Sequence, residues 1–444
     1  MPQLPRVESL RALFDERQFG VLLATRLTSQ TADGVFQASL YGALLFNPDH
    51  HTRPGQIAAG LVLLVLPYSI IGPFAGVFLD RWRRQRVLAR GALVHGVFAV
   101  ASAALLATAG SRSVGFDAAA FAALAVNRFY LAAQSAALPH VVRDEQLVLG
   151  NSFTTTAGTV VTLVGVSLGL GVRHLAGSGD HGNAVVAAFS FVGYLVAAAV
   201  ARRIPADHLG PDERPSASVT QALGAVAGGF KAGAAHVLRH RPAARALALI
   251  FGQRALFGLW TIMTLLLYRN TFAPDGPLRA GLVGAGQAAS VGGVGLVLAA
   301  LVTPRIARRT GLHRWIAIST AIPAVTMLAF GLPFSLVWFL GSALALGFAM
   351  QATKVCVDTI VQEAVDDDFR GRAFALYDAG ANTCFAGAAV IGAVTLPITG
   401  RSATALVVMS AAYLLLAATY AAAARGGSVL AQEPAEQVAQ QPVR

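Results

Sequence analysis

The chain has 444 residues, of which 55% are hydrophobic and only 13% charged. A soluble domain carries about 25% charged residues, so this deficit, with a mean hydropathy of +0.60, excludes an ordinary globular domain and points to a polytopic membrane protein. The net charge of +12 is carried by arginines in short loops between apolar stretches, which fits the cytoplasmic face of a bilayer rather than a nucleic-acid-binding surface.

Residues 1–17 are polar, hold Arg6, Arg11 and Arg17, and lack a cleavage pattern, so they read as a cytoplasmic segment and not a signal peptide. Twelve apolar segments follow, near 18–46, 56–79, 90–110, 117–139, 148–174, 183–202, 243–269, 279–303, 313–331, 335–361, 372–398 and 402–424. A bilayer core takes roughly 20 apolar residues per helix, and a chain crossing lipid must satisfy its backbone internally, so these are helices. The expected fold is an all-α membrane protein of twelve transmembrane helices.

Between the second and third segments the chain reads GVFLDRWRRQRVLAR, from Gly76 to Arg90. Five arginines crowd this loop, and alternate loops share the bias. One set holds Arg143, Arg202, Arg203, Arg239, Arg241, Arg305, Arg308, Arg309, Arg370 and Arg372 besides Arg81, Arg83, Arg84 and Arg86. The other set holds only Arg53, Arg112, Arg173, Arg269, Arg279 and Arg401. The first set is cytoplasmic, and an even span count puts both termini there.

The longest loop divides the chain into an N-terminal six-helix bundle (18–202), a cytoplasmic linker (203–242) and a C-terminal six-helix bundle (243–424). In the linker, Lys231, His236 and Arg239 are interleaved with Ala, Val and Leu between Thr220 and His240. That suits an amphipathic helix on the inner leaflet; a plain tether is the other reading. The tail, 425–444, is rich in Gln, Ala and Pro and is expected to be disordered. The two halves echo each other at the ends of spans two and eight and of spans four and ten, as in repeat transporters. Cys356 and Cys384 fall in apolar segments and read as reduced packing residues. Abundant Arg, Ala and Gly suit a GC-rich bacterial source.

Charges at bilayer depth are costly and face a cavity or pair with one another. They are Arg26 and Asp33 in span one, Arg128 in span four, Arg254 in span seven, and Lys354 and Asp358 in span ten. One charged helix in every three implies that these helices face a common centre. Arg26 and Asp33 are seven apart and share a helix face, which Gln30 and Gln37 extend. Lys354 and Asp358 are spaced to pair. Asn127 adjoins Arg128, and Gln253 adjoins Arg254. Asp33 is expected to carry a proton and contact substrate; the plainer alternative is a packing pair with Arg26. Arg254 lies close enough to the inner surface to snorkel. His95, alone in span three, reads as a packing residue.

The Gly76–Arg90 stretch resembles motif A of the major facilitator superfamily through Gly76, Asp80, Arg81 and Arg84, with Arg83 where that family usually has Gly. The resemblance implies two pseudo-symmetric bundles and a conformational latch. In it Asp80 caps the helix-eleven N-terminus beside Arg370, Gly371 and Arg372, and Arg84 pairs with Asp144 or Glu145. Gly76 would allow close packing, and Arg86 and Arg90 read as positive-inside anchors. Asn127, Arg128, Phe129 and Gln134 resemble motif B, whose buried Arg is tied to proton coupling. Gly158, Gly165, Gly169 and Gly171 resemble the antiporter motif C without its Pro, and equally read as close-packing glycines. RLTSQTADGVF at 26–36, ALPHVVRDEQLVLGNSF at 137–153 and IVQEAVDDDFRGRAFAL at 360–376 resemble the bacterial branch of siderophore exporters and macrolide-type drug pumps.

The expected function is therefore proton-coupled export of small hydrophobic or amphipathic molecules from the inner membrane by alternating access. A lysolipid or lipid flippase and a solute importer are the alternatives; a receptor or enzyme is remote, since no P-loop, metal-ligand set or nucleophile–base cluster is legible. The proton gradient is the driving force and no cofactor or metal is implied. The expected partners are a small-molecule substrate and the lipid bilayer, with no nucleic acid, and the chain is expected to act as a monomer.

Overall fold

The computed structural model describes residues 13–46, 54–143, 146–177, 179–211, 218–272 and 281–439. Among them are thirteen α-helices: α1 (Arg17–Leu44), α2 (Pro54–Leu79), α3 (Arg84–Ala109), α4 (Val114–Ala137), α5 (Leu147–Ala176), α6 (Gly179–Ala201), α7 (Val219–Arg239), α8 (Arg241–Asn270), α9 (Gly281–Thr310), α10 (Leu312–Thr326, extended by a π turn to Gly331), α11 (Leu336–Ala364), α12 (Asp367–Thr395) and α13 (Ala403–Ala439). Each of the twelve expected spans corresponds to one helix, and α7 is the amphipathic helix of the linker. Eleven helices among the described residues are long and apolar enough to cross a membrane. The twelfth, α1, falls short because Arg26, Gln30, Asp33 and Gln37 lie along it.

Two boundaries differ from the hydropathy reading. Helix α3 begins at Arg84 and not near residue 90, because Arg86 and Arg90 can extend their heads to water from its first turns while Arg84 is held by the Ala136 and Leu209 carbonyls. Helix α13 runs to Ala439, through a tail read as disordered. Ala, Gln and Glu favour helix, and extending a formed helix avoids the cost of nucleation.

The chain forms two compact units, one of Met1–Thr52 and Ala59–Ala227, the other of Arg53–Ala58 and Gly228–Arg444. One division falls inside α7, between Ala227 and Gly228, and another inside α2, between Ala58 and Ala59, so the start of α2 groups with the second unit and not with the N-terminal bundle expected for it. In the first unit α1 packs on α5 and α6, and α3 packs on α4 and α6. In the second, α8 packs on α12, α9 on α11, and α10 on α11 and α13.

Glycines set the closest crossings, as expected where lipid gives no hydrophobic drive for helices to associate. A Cβ at Gly34 of α1 would overlap the Thr162 carbonyl oxygen of α5, and one at Gly165 would overlap the Thr31 carbonyl oxygen. One at Gly169 would press on Ala38 and Val35. The second unit repeats this crossing. Gly258 of α8 faces the Phe385 carbonyl oxygen of α12, and Gly392 of α12 faces Ile262 and Leu259. Gly258 thus takes the place of Gly34, and Gly392 that of Gly169. The loops that follow match as well: Gly177 after α5 (φ 97°) and Gly400 after α12 (φ 73°) occupy the left-handed region, which glycine enters without a Cβ penalty.

In the second unit the C-terminal half of α7 docks on the start of α12. A Cβ at Gly233 would lie 3.0 Å from the Arg372 Cβ. His236 stacks on Phe369 with centroids 4.3 Å apart and lies 3.6 Å from Asp366. Leucine at Gly233 is expected to push α7 off this seat and speed tryptic cleavage at Lys231 and Arg239 several-fold, by favouring local opening. Unchanged cleavage would mean that close approach does not hold α7.

Candidate functional site

Helix α1 delivers Asp33 to the interior of the first unit, where it is only 4% exposed. Burying a charge requires partners, and three helices supply them. The Tyr194 hydroxyl of α6 donates to Asp33 Oδ1 at 2.8 Å. His95 Nδ1 of α3 lies 3.4 Å from the same oxygen, and its Nε2 is 3.1 Å from the Tyr194 hydroxyl. The two rings stack with centroids 4.2 Å apart, and Phe36 meets His95 edge-on. Asn127 of α4 also faces the carboxyl. One helical turn toward the α1 N-terminus, Gln134 Nε2 donates to Ser29 Oγ at 3.4 Å.

Arg26 does not join this cluster. Its Nε donates to Gln30 Oε1 at 3.1 Å, and Gly158 of α5 packs closely on both side chains. The seven-residue spacing does put Arg26 and Asp33 along one side of α1, but the Asp33 carboxyl meets α3, α4 and α6, whereas the Arg26 side chain meets α5. The Arg26–Asp33 packing pair is therefore not formed. Gln37 accepts from the Tyr41 hydroxyl at 3.4 Å. Arg128 is half-buried beside Asn127. His95 is more than a packing residue, and Tyr194 carried no sequence signal at all.

The second unit has different chemistry. The residue before Gly258, in the place of Asp33, is Phe257, which packs against Phe385 and Trp260. Its buried polar centre is Thr353 of α11, which accepts from Gln253 Nε2 at 3.4 Å and lies 3.0 Å from Ser319 Oγ and 3.4 Å from Thr320 Oγ1. Beside it, Lys354 Nζ donates to Asp358 Oδ2, the pair expected from their spacing, and sits 5.4 Å above the Tyr377 ring. Arg254 and Asp378 complete the electrostatic surroundings of Asp358. Asp378 lies in span eleven and so departs from the expected pattern of one charged helix in every three.

The latch residues are distributed as follows. Asp80 is exposed at the end of α2. A Cβ at Gly76 would meet no atom within 4 Å among the described residues, so close packing does not require glycine there. Arg81 Nη1 donates to the Val77 carbonyl at 2.6 Å. Arg84 Nη1 donates to the carbonyls of Ala136 (3.0 Å) and Leu209 (3.2 Å) and lies 3.4 Å from His140 Nδ1. It thereby ties the end of α4 to the loop after α6. Asp144 and Glu145, the acids expected to meet it, lie outside the described residues, as does the side chain of Arg370. Arg372 stacks on Phe369 at 5.1 Å.

Comparison with known proteins places this architecture. Residues 27–393 match the Major Facilitator Superfamily. A protein of Mycobacterium tuberculosis, described as an uncharacterized MFS-type transporter, is 35% identical over 412 residues, covering 91% of this chain and 90% of that protein. A Mycobacterium bovis protein of the same description matches equally. Among solved structures, the peptide transporter POT superposes with a TM-score of 0.67 at 14% identity, covering 92% of this chain and 94% of that one. The nucleoside transporter NupG superposes with a TM-score of 0.64 at 14% identity, covering 92% and 99%. At such identity these two speak to the fold alone. With eleven helices among the described residues long and apolar enough to cross a membrane, and with relatives aligned over nine-tenths of its length, this chain is a multi-pass membrane protein that belongs to the Major Facilitator Superfamily of transporters.

Proposed function

We infer that the chain is a proton-coupled exporter of small hydrophobic or amphipathic molecules in the cytoplasmic membrane, working by alternating access as a monomer. The observation that carries this reading is the Asp33 cluster. Its carboxyl is buried in a membrane-embedded bundle, and among the described residues no arginine or lysine pairs with it. Its surroundings accommodate both protonation states. As a carboxylate it accepts from Tyr194; as an acid it can donate toward His95. Intramembrane acids in such settings serve proton relays. Because α3 and α6 enclose Asp33, its part is proton carriage, with substrate contact left to more accessible polar groups such as Gln37, Arg128, Arg254 and the Lys354–Asp358 pair. The siderophore-exporter and drug-pump resemblance of 26–36, 137–153 and 360–376 supports export and an amphipathic cargo.

The test is reconstitution in liposomes with an imposed pH difference, an internal pH dye and a panel of amphipathic fluorescent compounds. Proton movement coupled to compound movement supports the reading; compound movement indifferent to the gradient overturns the coupling. Asp80 is assigned to the latch, a carboxylate favoured at a helix N-terminus by about 0.3–1 kcal/mol. Asp80→Asn is therefore expected to slow transport by shifting the conformational balance. Normal transport with unaltered labelling of a single cysteine introduced on the cytoplasmic side would remove Asp80 from that role.

A further inference from the structure

The first unit also holds a cavity of 730 Å³ among α2, α3 and α4, which the Asp33 cluster does not use. Its size is that of a ligand site, roughly 300–1,000 Å³. Ile71, Phe78, Val94, Val126 and Phe129 give it apolar walls, and four arginines, Arg81, Arg83, Arg86 and Arg90, line it as well. Two of the four are committed elsewhere. Arg83 pairs with Asp207 at 3.0 Å, and Arg81 donates to the Val77 carbonyl. Arg86 and Arg90 differ. They are exposed, one turn apart on the side of α3 that lines the cavity, and among the described residues neither forms an ion pair. Trp82, 52% exposed, covers the same end, with ring centroids 5.3 Å from Phe78 and 5.8 Å from Phe129.

Orienting the chain in the membrane accounts for arginine at this surface. It does not account for two guanidinium groups that line an apolar cavity with no acid paired to either among the described residues. That combination calls for an amphiphile with a net negative head and an apolar tail. Inter-helix basic pockets on the cytoplasmic side take anionic lipid head groups, and the positive-inside bias places this end of the bundle at the inner leaflet. We propose that the cavity binds an anionic phospholipid of the inner leaflet, its phosphate against Arg86 and Arg90 and an acyl chain along the wall formed by Phe78, Val126 and Phe129. A zwitterionic lipid would bring an ammonium group toward the same guanidiniums. Free phosphate would leave the apolar walls unfilled.

Trp82 provides the readout. The full chain is reconstituted in phosphatidylcholine vesicles with rising fractions of dibrominated phosphatidylglycerol, whose bromines quench nearby tryptophan. The expected result is a saturable quenching component that disappears in Trp82→Phe. It should need about fivefold more phosphatidylglycerol for each arginine removed in Arg86→Gln and in Arg86→Gln/Arg90→Gln, from about 1 kcal/mol per basic residue. Arg86→Lys/Arg90→Lys should retain it. Ala125→Leu, which narrows the cavity with both arginines intact, should weaken it, and keeps the test decisive if the double glutamine variant fails to fold. Equal quenching by dibrominated phosphatidylcholine in the converse mixture would overturn the proposal. Displacement of the lipid by soluble glycerophosphate would overturn it too, by showing that the head group alone suffices.

Discussion

Asp33→Asn is expected to leave a folded protein that cannot couple a pH difference to transport. The amide has the size and shape of the carboxyl and keeps an oxygen to accept the 2.8 Å bond from Tyr194. What it loses is the ability to take up and release a proton. Weakening one hydrogen bond to a charged group costs about 1.5–3 kcal/mol at most, and the neutral side chain no longer needs charge compensation, which offsets part of that loss. The melting temperature in detergent should therefore move by only a few degrees, while gradient-driven movement of the amphipathic compounds falls to the level of empty liposomes. Downhill exchange without a gradient should survive, because the alternating movement itself does not require the carboxyl to titrate. pH-driven transport at the wild-type rate in Asp33→Asn would end the assignment. His95→Gln and Tyr194→Phe should each reduce coupled transport without abolishing it, since each removes a neighbour of the carboxyl and leaves the carboxyl in place. If either equals Asp33→Asn in severity, the proton site is the cluster and not the single acid.

The helices were legible because lipid forces them to be: apolar length and interrupting charge locate every span. Asp33 stood out for the same reason, as a costly acid at bilayer depth. Its partners did not. Spacing along α1 says which residues share a face, but not which helix covers each end of it. His95 and Tyr194 meet through the crossing of α3 and α6, and nothing local in either segment encodes that crossing. Arg84 illustrates the same limit: its partners are mainly main-chain carbonyls, which have no sequence signature. The repeat, by contrast, was visible only at loop ends, whereas its clearest mark is the pairing of Gly34 with Gly258 and Gly169 with Gly392 at the same crossing. Those glycines also show where the halves diverge, since the residue beside Gly34 is Asp33 and the residue beside Gly258 is Phe257. The proton-binding chemistry is thus expected to reside in one half of a repeated scaffold.

Gly165→Ala is expected to be among the most destabilising single-methyl additions in the chain. A Cβ at Gly165 would overlap the Thr31 carbonyl oxygen and lie 3.1 Å from the Gly34 Cα. Both obstacles are backbone of α1, so no rotamer change can relieve them; α5 must move away from α1. Overpacking of this kind costs on the order of 1–3 kcal/mol or more. The displacement also loosens the helix that presents Asp33, so coupled transport should fall along with the melting temperature. Gly171→Ala, on the same helix but with no atom within 4 Å of its Cβ, is the control. It should be neutral or slightly stabilising, because Ala favours helix over Gly by about 1 kcal/mol. The second unit supplies an independent replicate: Gly258→Ala should destabilise and Gly387→Ala, also open, should not. If thermal unfolding ranks Gly165→Ala with Gly171→Ala, the α1–α5 approach is looser than these contacts require. The glycines of α5 would then need an explanation other than packing, and the antiporter reading of that glycine series would gain the weight that close packing gives up.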